Sequence, residues 1–227
     1  MNGTPNLTLV GQLIGDPTRT LMLELLYDGQ KWSAAELAYG AGVTPQTASS
    51  HLRKLVDAGW LTVESKGRHK FFRIAGSEVA DALEALLVLA TRQVKRPGGV
   101  SANKDPLRQA RTCYDHLAGH LGVSITNHLL KHAYLRKLSD SFEPTQKGEQ
   151  LLANLDIDTH GLRAARRPFT RCCMDWSERR HHLGGGLGAA MLSQFVVRNW
   201  IRRHEGTRAV TLTNAGTRQL RRLQLID

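Results

Sequence analysis

Nowhere in this chain do 18 apolar residues run together, so no membrane-spanning helix is expected. The opening residues, MNGTPNLTLVGQLIGD, lack the basic start and long apolar stretch of a secretion signal. Cysteine is scarce, with three in 227 residues. An odd, small number with no secretion signal predicts reduced thiols in a cytoplasm rather than a disulfide framework. There is no Cys-x-x-Cys pair, no nucleophile elbow, no phosphate loop and no paired-carboxylate spacing. Catalysis therefore has no visible machinery; no enzyme, no cofactor and no metal site is expected. Acidic residues are also in the minority, 20 against 31 Lys and Arg, giving a net charge of +11. The resulting pI of about 10.1 favours polyanionic partners. The excess is uneven, +2 over residues 1–96 and +9 over the remainder. Hydrophobic residues make up 41% of the chain, which is enough for a real core.

Against these absences one segment stands out, TPQTASSHLRKLVDAGWLTVESKGRHKFFRI, residues 44–74. Thr44 and Pro45 open a helix that runs to residue 58, and Gly59 stops it. Strands over residues 60–64 and 70–74 then flank a basic tip, Ser65-Lys66-Gly67-Arg68-His69. A helix followed by a basic hairpin predicts a winged helix-turn-helix. Short side chains at Thr47, Ser49 and Ser50 let the helix backbone approach a groove. Gln46 can pair bidentately with adenine, while Arg53 or Lys54 can meet guanine or phosphate. Lys66, Arg68 and Lys70 suit phosphate or the minor groove.

Upstream, apolar Leu7, Val10, Leu13 and Ile14 predict a first helix. Asp16-Pro17 starts a second, and Ser33-Ala34-Ala35-Glu36 has capping-box spacing for a third. Residues 79–94 predict a long amphipathic helix, read as a dimer seam with core packing as its alternative. The Asp16-Pro17-Thr18-Arg19 start, the Gly42-Val43-Thr44-Pro45-Gln46-Thr47 turn, and Ser50-His51-Leu52-Arg53-Lys54-Leu55 with Ala58-Gly59-Trp60-Leu61 together resemble the ArsR/SmtB family of bacterial repressors. The resemblance covers residues 7 to about 94. It implies a homodimer whose recognition helices enter successive major grooves of a double-stranded DNA operator, and an effector that lowers operator affinity. It places Gln46, Thr47, Ser49, Ser50 and His51 on the recognition helix. The chain departs from the family at its metal sites. The helix SAAELAYG has no Cys-x-Cys, and the residue 79–94 helix has no Asp-x-His pair.

The second half repeats itself. HLAGHLG at 116–122 matches HLGGGLG at 182–188, and the register holds through Tyr134-Leu135-Arg136-Lys137 and Trp200-Ile201-Arg202-Arg203. Thr145-x-x-Gly148 matches Thr213-x-x-Gly216. Before each copy, Arg111-x-Cys113-x-Asp115 matches Arg171-x-Cys173-x-Asp175, with about six extra residues in the second copy. The expected architecture is mainly α with short β-hairpin wings. A DNA-binding and dimerisation domain, 1–96, leads through a polar linker, 97–105, to a C-terminal domain, 106–227. That domain is read as two degenerate winged-helix-like repeats, 111–155 and 171–225. Arg111 with Asp115 and Arg171 with Asp175 are expected to pair at i, i+4 on helices.

An input to the regulator belongs in that C-terminal half, and Cys113, Tyr114, His116, Cys173, Trp176, Arg180 and His182 are the candidate effector residues. Cys113 and Cys173 also suit small core positions, and Cys172 and Cys173 are expected to face opposite sides of a helix. A thiol-based redox sensor or a metal(loid) site is the alternative. The aromatics Tyr114, Tyr134, Trp176, Phe195 and Trp200 fit either core or an apolar effector pocket. The chain thus reads as a cytoplasmic dimeric repressor of transcription released by a small-molecule or redox effector. An architectural DNA-binding protein, using the basic second half as a further DNA surface, is the alternative.

Overall fold

The computed structural model describes residues 6–91, 105–204 and 206–227, which form two compact units, 1–82 and 83–227. Most of the expected linker, 97–105, lies outside the described residues, as does the end of the helix expected over 79–94.

In the first unit, local hydrogen bonds set where helices begin. α1 (Leu7–Ile14) is followed by α2 (Pro17–Leu26), whose cap Asp16 accepts from the Arg19 amide at 3.0 Å. β1 (Trp32–Ser33) runs into α3 (Ala34–Gly40) through a full capping box: Ser33 Oγ accepts from Glu36 N at 3.2 Å, and Glu36 Oε2 from Ser33 N at 2.7 Å. α4 (Pro45–Asp57) is capped by Thr44 and ends at Gly59, whose φ of 74° suits glycine. β2 (Leu61–Lys66) and β3 (His69–Ile74) pair antiparallel with Lys66 opposite His69, so the wing tip shrinks to Gly67-Arg68. β1 adds a third strand beside β3, with Trp32 opposite Phe72. α5 (Ser77–Ala90) carries the boundary between the units, and the buried Tyr27 hydroxyl donates to the Ala80 carbonyl at 2.9 Å.

The second unit runs in one order twice. A short α6 (Pro106–Gln109) leads to hairpin β4 (Arg111–Cys113) and β5 (His116–Ala118), helix α7 (Gly119–Lys131), hairpin β6 (Leu135–Lys137) and β7 (Phe142–Pro144), and helix α8 (Gln146–Asn154). After α9 (Thr159–Ala164) come hairpin β8 (Arg171–Met174) and β9 (His181–Gly184), helix α10 (Gly185–Val197), hairpin β10 (Ile201–Arg203) and β11 (Val210–Leu212), and helix α11 (Asn214–Arg222). The halves interlock. β5 packs on α10, β9 packs on α7, and Thr126 Oγ1 on α7 accepts from Leu183 N on β9 at 2.9 Å. One hydrophobic core is shared, with Leu129 and Phe142 from the first half and Leu192 and Phe195 from the second.

Two expectations need correction. The segments 111–115 and 171–175 are strand and turn, not helix, so neither Arg111–Asp115 nor Arg171–Asp175 is an i, i+4 pair. Three- and four-residue strands are too short to show a period of two, while the i, i+4 charges imitate a helical one. For the same reason Cys172 and Cys173 alternate across β8 rather than around a helix.

The matched Thr-x-x-Gly sequences have a clear physical cause. Thr145 caps α8 by accepting from Gly148 N at 3.1 Å, and Thr213 caps α11 by accepting from Gly216 N at 2.9 Å. Each threonine amide also donates to the carbonyl of the matched aromatic, Tyr134 at 3.0 Å and Trp200 at 2.9 Å. A Cβ on either glycine would collide with that same carbonyl. Gly216→Ala is therefore expected to destabilise the unit by about 1–3 kcal/mol through overpacking, read as a lower thermal midpoint in circular dichroism. An unchanged midpoint would contradict the close packing.

Candidate nucleic-acid interface

α4 divides its residues by face. Ala48, Leu52 and Leu55 are buried at helical spacing, and this fixes which side points out. Gln46, Thr47, Ser49, Ser50, Arg53 and Lys54 lie on the exposed side. Pro45, Gln46, Ser49, Ser50, Arg53 and Lys54 line a shallow depression there. The hydroxyls near the helix start are already occupied. Thr44 Oγ1 caps Thr47 N and lies 2.9 Å from Thr47 Oγ1, and Ser49 Oγ donates to the Pro45 carbonyl at 2.8 Å. Thr44 and Ser49 thus shape the helix start, leaving Gln46, Ser50, Arg53 and Lys54 with the reaching side chains. On the wing, Lys66, Arg68 and Lys70 are exposed around the tip. The strand below it is anchored by the Lys31–Glu64 ion pair and by Arg73 Nε donating to Thr62 Oγ1 at 3.2 Å.

His51 differs from the rest of the expected set. Its ring is half-buried, with Nδ1 3.2 Å from Arg19 NH1 and 3.6 Å from Asp16 Oδ1. It is turned toward Asp16 and Arg19 of the same unit. Arg19 is the centre of that contact and was not among the candidates. It is buried, and its guanidinium donates to the Leu13 carbonyl at 2.8 Å and to the Gln12 carbonyl, fastening the end of α1 to α2 and α4. An arginine three residues after a capping aspartate was the available signal, and it does not identify a distant carbonyl. The Arg19 amide, ahead of the nearby cations, lowers the Asp16 carboxyl below its usual range.

The candidate effector residues separate into two groups in the second unit. Cys113, His116, Cys173 and His182 come together, all buried. Tyr114, Trp176 and Arg180 do not join them as ligands. Tyr114 sits half-buried in the β4–β5 turn at φ 59°, and Arg180 is exposed and donates to Asn127 Oδ1 at 3.3 Å. The Arg111 guanidinium carbon lies over the Trp176 ring, 4.3 Å from its centroid. Arg111 and Asp175 are both fully buried and meet at 2.9 Å. Burial alone would raise Asp175, but Arg111 and the Ser177 hydrogen bond outweigh it and hold the carboxyl at about 2. Of the other aromatics, Phe195 and Trp200 pack on each other in the core at 5.5 Å.

The basic second half spends several of its charges internally. Arg163 binds Glu143 and Glu149 at 2.6 and 3.1 Å, Arg167 binds Asp115 through its two terminal guanidinium nitrogens, and Arg198 binds Asp156 at 2.6 Å.

A helix-turn-helix domain family matches residues 14–64. The HTH-type transcriptional regulator YdfF of Bacillus subtilis (strain 168) is 42% identical over 212 residues, covering 93% of this chain and 94% of that protein. A probable mercury resistance operon repressor of Streptomyces lividans is 31% identical over 77 residues, covering 34% of this chain and 61% of that protein. Among solved structures, the homodimeric winged helix-turn-helix DNA-binding domain Mb0332 of Mycobacterium bovis, described as a possible ArsR-family regulator, superposes with a TM-score of 0.38 at 23% identity, covering 44% of this chain and all of that one.

Proposed function

Because the chain belongs to the HTH-type transcriptional regulators, with a winged helix-turn-helix of ArsR type at its N-terminal end, we propose that it is a dimeric, operator-specific repressor whose second unit receives the releasing signal. The exposed polar face of α4, set in one unit with a glycine-tipped basic wing, carries this reading. The helix supplies base contacts at Gln46, Ser50, Arg53 and Lys54, and the wing supplies charge to the backbone.

Dimerisation is supported by apolar surface left uncovered within the chain. No residue of α1 is buried although Leu7, Leu9, Val10, Leu13 and Ile14 are apolar, and Leu7 is 81% exposed. On α5, Leu86 and Leu89 are exposed too. A helix with this much apolar surface needs a partner, and a second copy of the chain provides one with two-fold symmetry. Two recognition helices then reach half-sites about 10 base pairs apart. Selection of bound duplexes from a random pool, followed by footprinting of the full-length protein, tests this. Two protected half-sites on one face of the duplex are expected; retention of every duplex equally would reject sequence-specific control.

An input through the second unit is supported by its share of the chain and by a groove of about 960 Å3 lined by α6, α7 and β11 residues, among them Leu107, His120, Leu121 and Leu212. A ligand there releases DNA only by binding the two states of the protein unequally. The groove favours the repressor reading over an architectural one; the ion pairs of Arg163, Arg167 and Arg198 leave the net charge of +9 in this half unchanged, so a large loss of non-specific affinity on removing the second unit would favour the architectural reading instead.

The wing has its own expected result. Arg68→Ala should weaken operator and scrambled duplexes by a similar factor and lower the slope of log affinity against log salt by about 1. Fluorescence anisotropy at several salt concentrations measures both, and wild-type affinity throughout would remove the wing from the interface.

A further inference from the structure

The hairpin register places a cysteine opposite a histidine in each half of the second unit. Cys113 faces His116 across β4–β5, and Cys173 faces His182 across β8–β9. Because β5 packs beside β9, the two pairs meet. One donor atom from each residue lies within 4.8 Å of the others. The sulfurs are 3.7 Å apart, far beyond the disulfide length of about 2.05 Å. The imidazole rings are 5.1 Å apart.

These distances suit a tetrahedral ion. Metal–sulfur bonds of about 2.3 Å and metal–nitrogen bonds of about 2.0–2.1 Å put neighbouring donor atoms roughly 3.3–3.8 Å apart. The two sulfurs already stand at that spacing. The remaining pairs, within 4.8 Å, need to close by about 1.5 Å at most, which side-chain rotation supplies.

Three further observations point to a ligand. First, His116 Nε2 and both ring nitrogens of His182 are buried without a hydrogen-bond partner, a costly arrangement unless something else binds them. Second, a carboxylate stands behind each ring. Asp115 Oδ1 is 3.2 Å from His116 Nδ1, and Asp175 Oδ2 is 3.5 Å from His182 Nδ1. Both carboxylates are fixed in turn, Asp115 by Arg167 and Asp175 by Arg111. Asp115 bonded to Nδ1 of His116, and Asp175 within a small ring rotation of Nδ1 of His182, leave each Nε2 to face a metal, the usual outer-sphere arrangement of ligating histidines. Third, the charges balance. Two thiolates and two neutral imidazoles cancel a divalent cation, so the buried site is neutral when filled.

We propose that Cys113, His116, Cys173 and His182 bind one divalent metal ion of the zinc class, clasping the two halves of the second unit. Thiolate and imidazole donors select against magnesium and calcium. Four protein ligands in a buried site leave no open position, so the ion is structural rather than catalytic. The site lies wholly in the second unit and does not depend on the DNA-reading assignment.

The test uses full-length protein purified without chelator. About one zinc per chain is expected by elemental mass spectrometry, and cobalt(II) exchanged for it should show tetrahedral ligand-field bands with thiolate-to-cobalt charge transfer. Cys173→Ser should weaken that charge transfer and loosen zinc by more than about 100-fold, while Cys172→Ser leaves both unchanged. If Cys173→Ser fails to fold, Asp115→Asn is the second variant, with zinc loosened by about 10–100-fold. Protein that takes up neither zinc nor cobalt at the cysteines, a Cys113–Cys173 disulfide in reduced preparations, or equal losses for Cys172→Ser and Cys173→Ser would each overturn the assignment.

Discussion

Arg111→Leu is expected to destabilise the second unit by about 3–5 kcal/mol, a fall of roughly 6–20 °C in its thermal midpoint. Arg111 and Asp175 are both fully buried. Arg111 also donates to the Leu107 carbonyl at 3.0 Å and Ser177 Oγ at 3.1 Å, tying α6, β4 and the β8–β9 loop together. Without it, Asp175 keeps the amides of Gly119, Ser177 and Glu178 and the Ser177 hydroxyl. Those four donors soften the loss, so the lower half of the range is favoured. What remains is a buried Asp175 carboxylate that must stay charged without this cation or take up a proton, and buried Glu84, 3.8 Å from Arg111, loses the same cation; either is costly. Adding Asp175→Asn to Arg111→Leu removes the nearer of the two charges and should recover part of the stability. Arg171 occupies the matched position in the other half but is exposed, so Arg171→Leu should cost at most about 1 kcal/mol. Urea denaturation followed by near-ultraviolet dichroism suits the comparison, because Trp176 stacks on the Arg111 guanidinium and reports its loss. A cost below about 1 kcal/mol for Arg111→Leu would mean that the ion pair contributes little beyond its hydrophobic replacement.

The first unit was legible because its signals are local. Asp16-Pro17, the Ser33–Glu36 box and Thr44-Pro45 each satisfy helix-start amides within three residues of themselves, so sequence spacing and structure carry the same information. The wing strands were read slightly short because the tip is only Gly67-Arg68, and charged Lys66 and His69 resemble loop residues while they pair across the ladder. β1 was missed for another reason. Two residues hold no period, and their pairing with β3 depends on a contact some forty residues away. The inward turn of His51 likewise depends on Arg19, 32 residues distant.

In the second half, the matched segments were visible but their secondary structure was not. Arg-x-Cys-x-Asp offers charges at i, i+4, and nothing within five residues distinguishes a helical pair from a strand that ends in a turn. The distinguishing feature lies in the next residue. In Cys113-Tyr114-Asp115-His116, a two-residue turn makes i and i+3 cross-strand partners, so Cys-x-x-His is hairpin spacing. The second copy hides the same geometry behind a longer loop, where Cys173 and His182 are nine residues apart yet opposite each other. The matched histidines of HLAGHLG and HLGGGLG were therefore the signal for four converging donors. It becomes readable only once each histidine is paired with the cysteine upstream of it.

Ser50→Glu is expected to reduce operator binding to the level of scrambled DNA, a loss of about a thousandfold or more. Ser50 lies in the depression on the exposed side of α4, between Gln46 and the Arg53-Lys54 pair. On the proposed reading, its short side chain allows the helix backbone near base edges. Glutamate there fills the depression and sets a carboxylate against the phosphates that Arg53 and Lys54 would neutralise. The fold should not register the change. The helix packs through Ala48, Leu52 and Leu55, glutamate is at least as good a helix former as serine, and an exposed substitution of this kind costs within about 0.5 kcal/mol. The loss of binding is thereby separated from loss of structure. Ser50→Ala keeps the space open and should stay within about tenfold of wild type, which separates the obstruction from any hydrogen bond the hydroxyl makes. Gln46→Ala gives a different pattern, about 1–3 kcal/mol lost at a single adenine position and little elsewhere in the site. Anisotropy titrations of the three variants against the selected operator, systematic base substitutions and a scrambled duplex measure all of this together. Near wild-type operator affinity for Ser50→Glu would mean that this face of α4 does not enter the groove, and base reading would have to be sought elsewhere in the first unit.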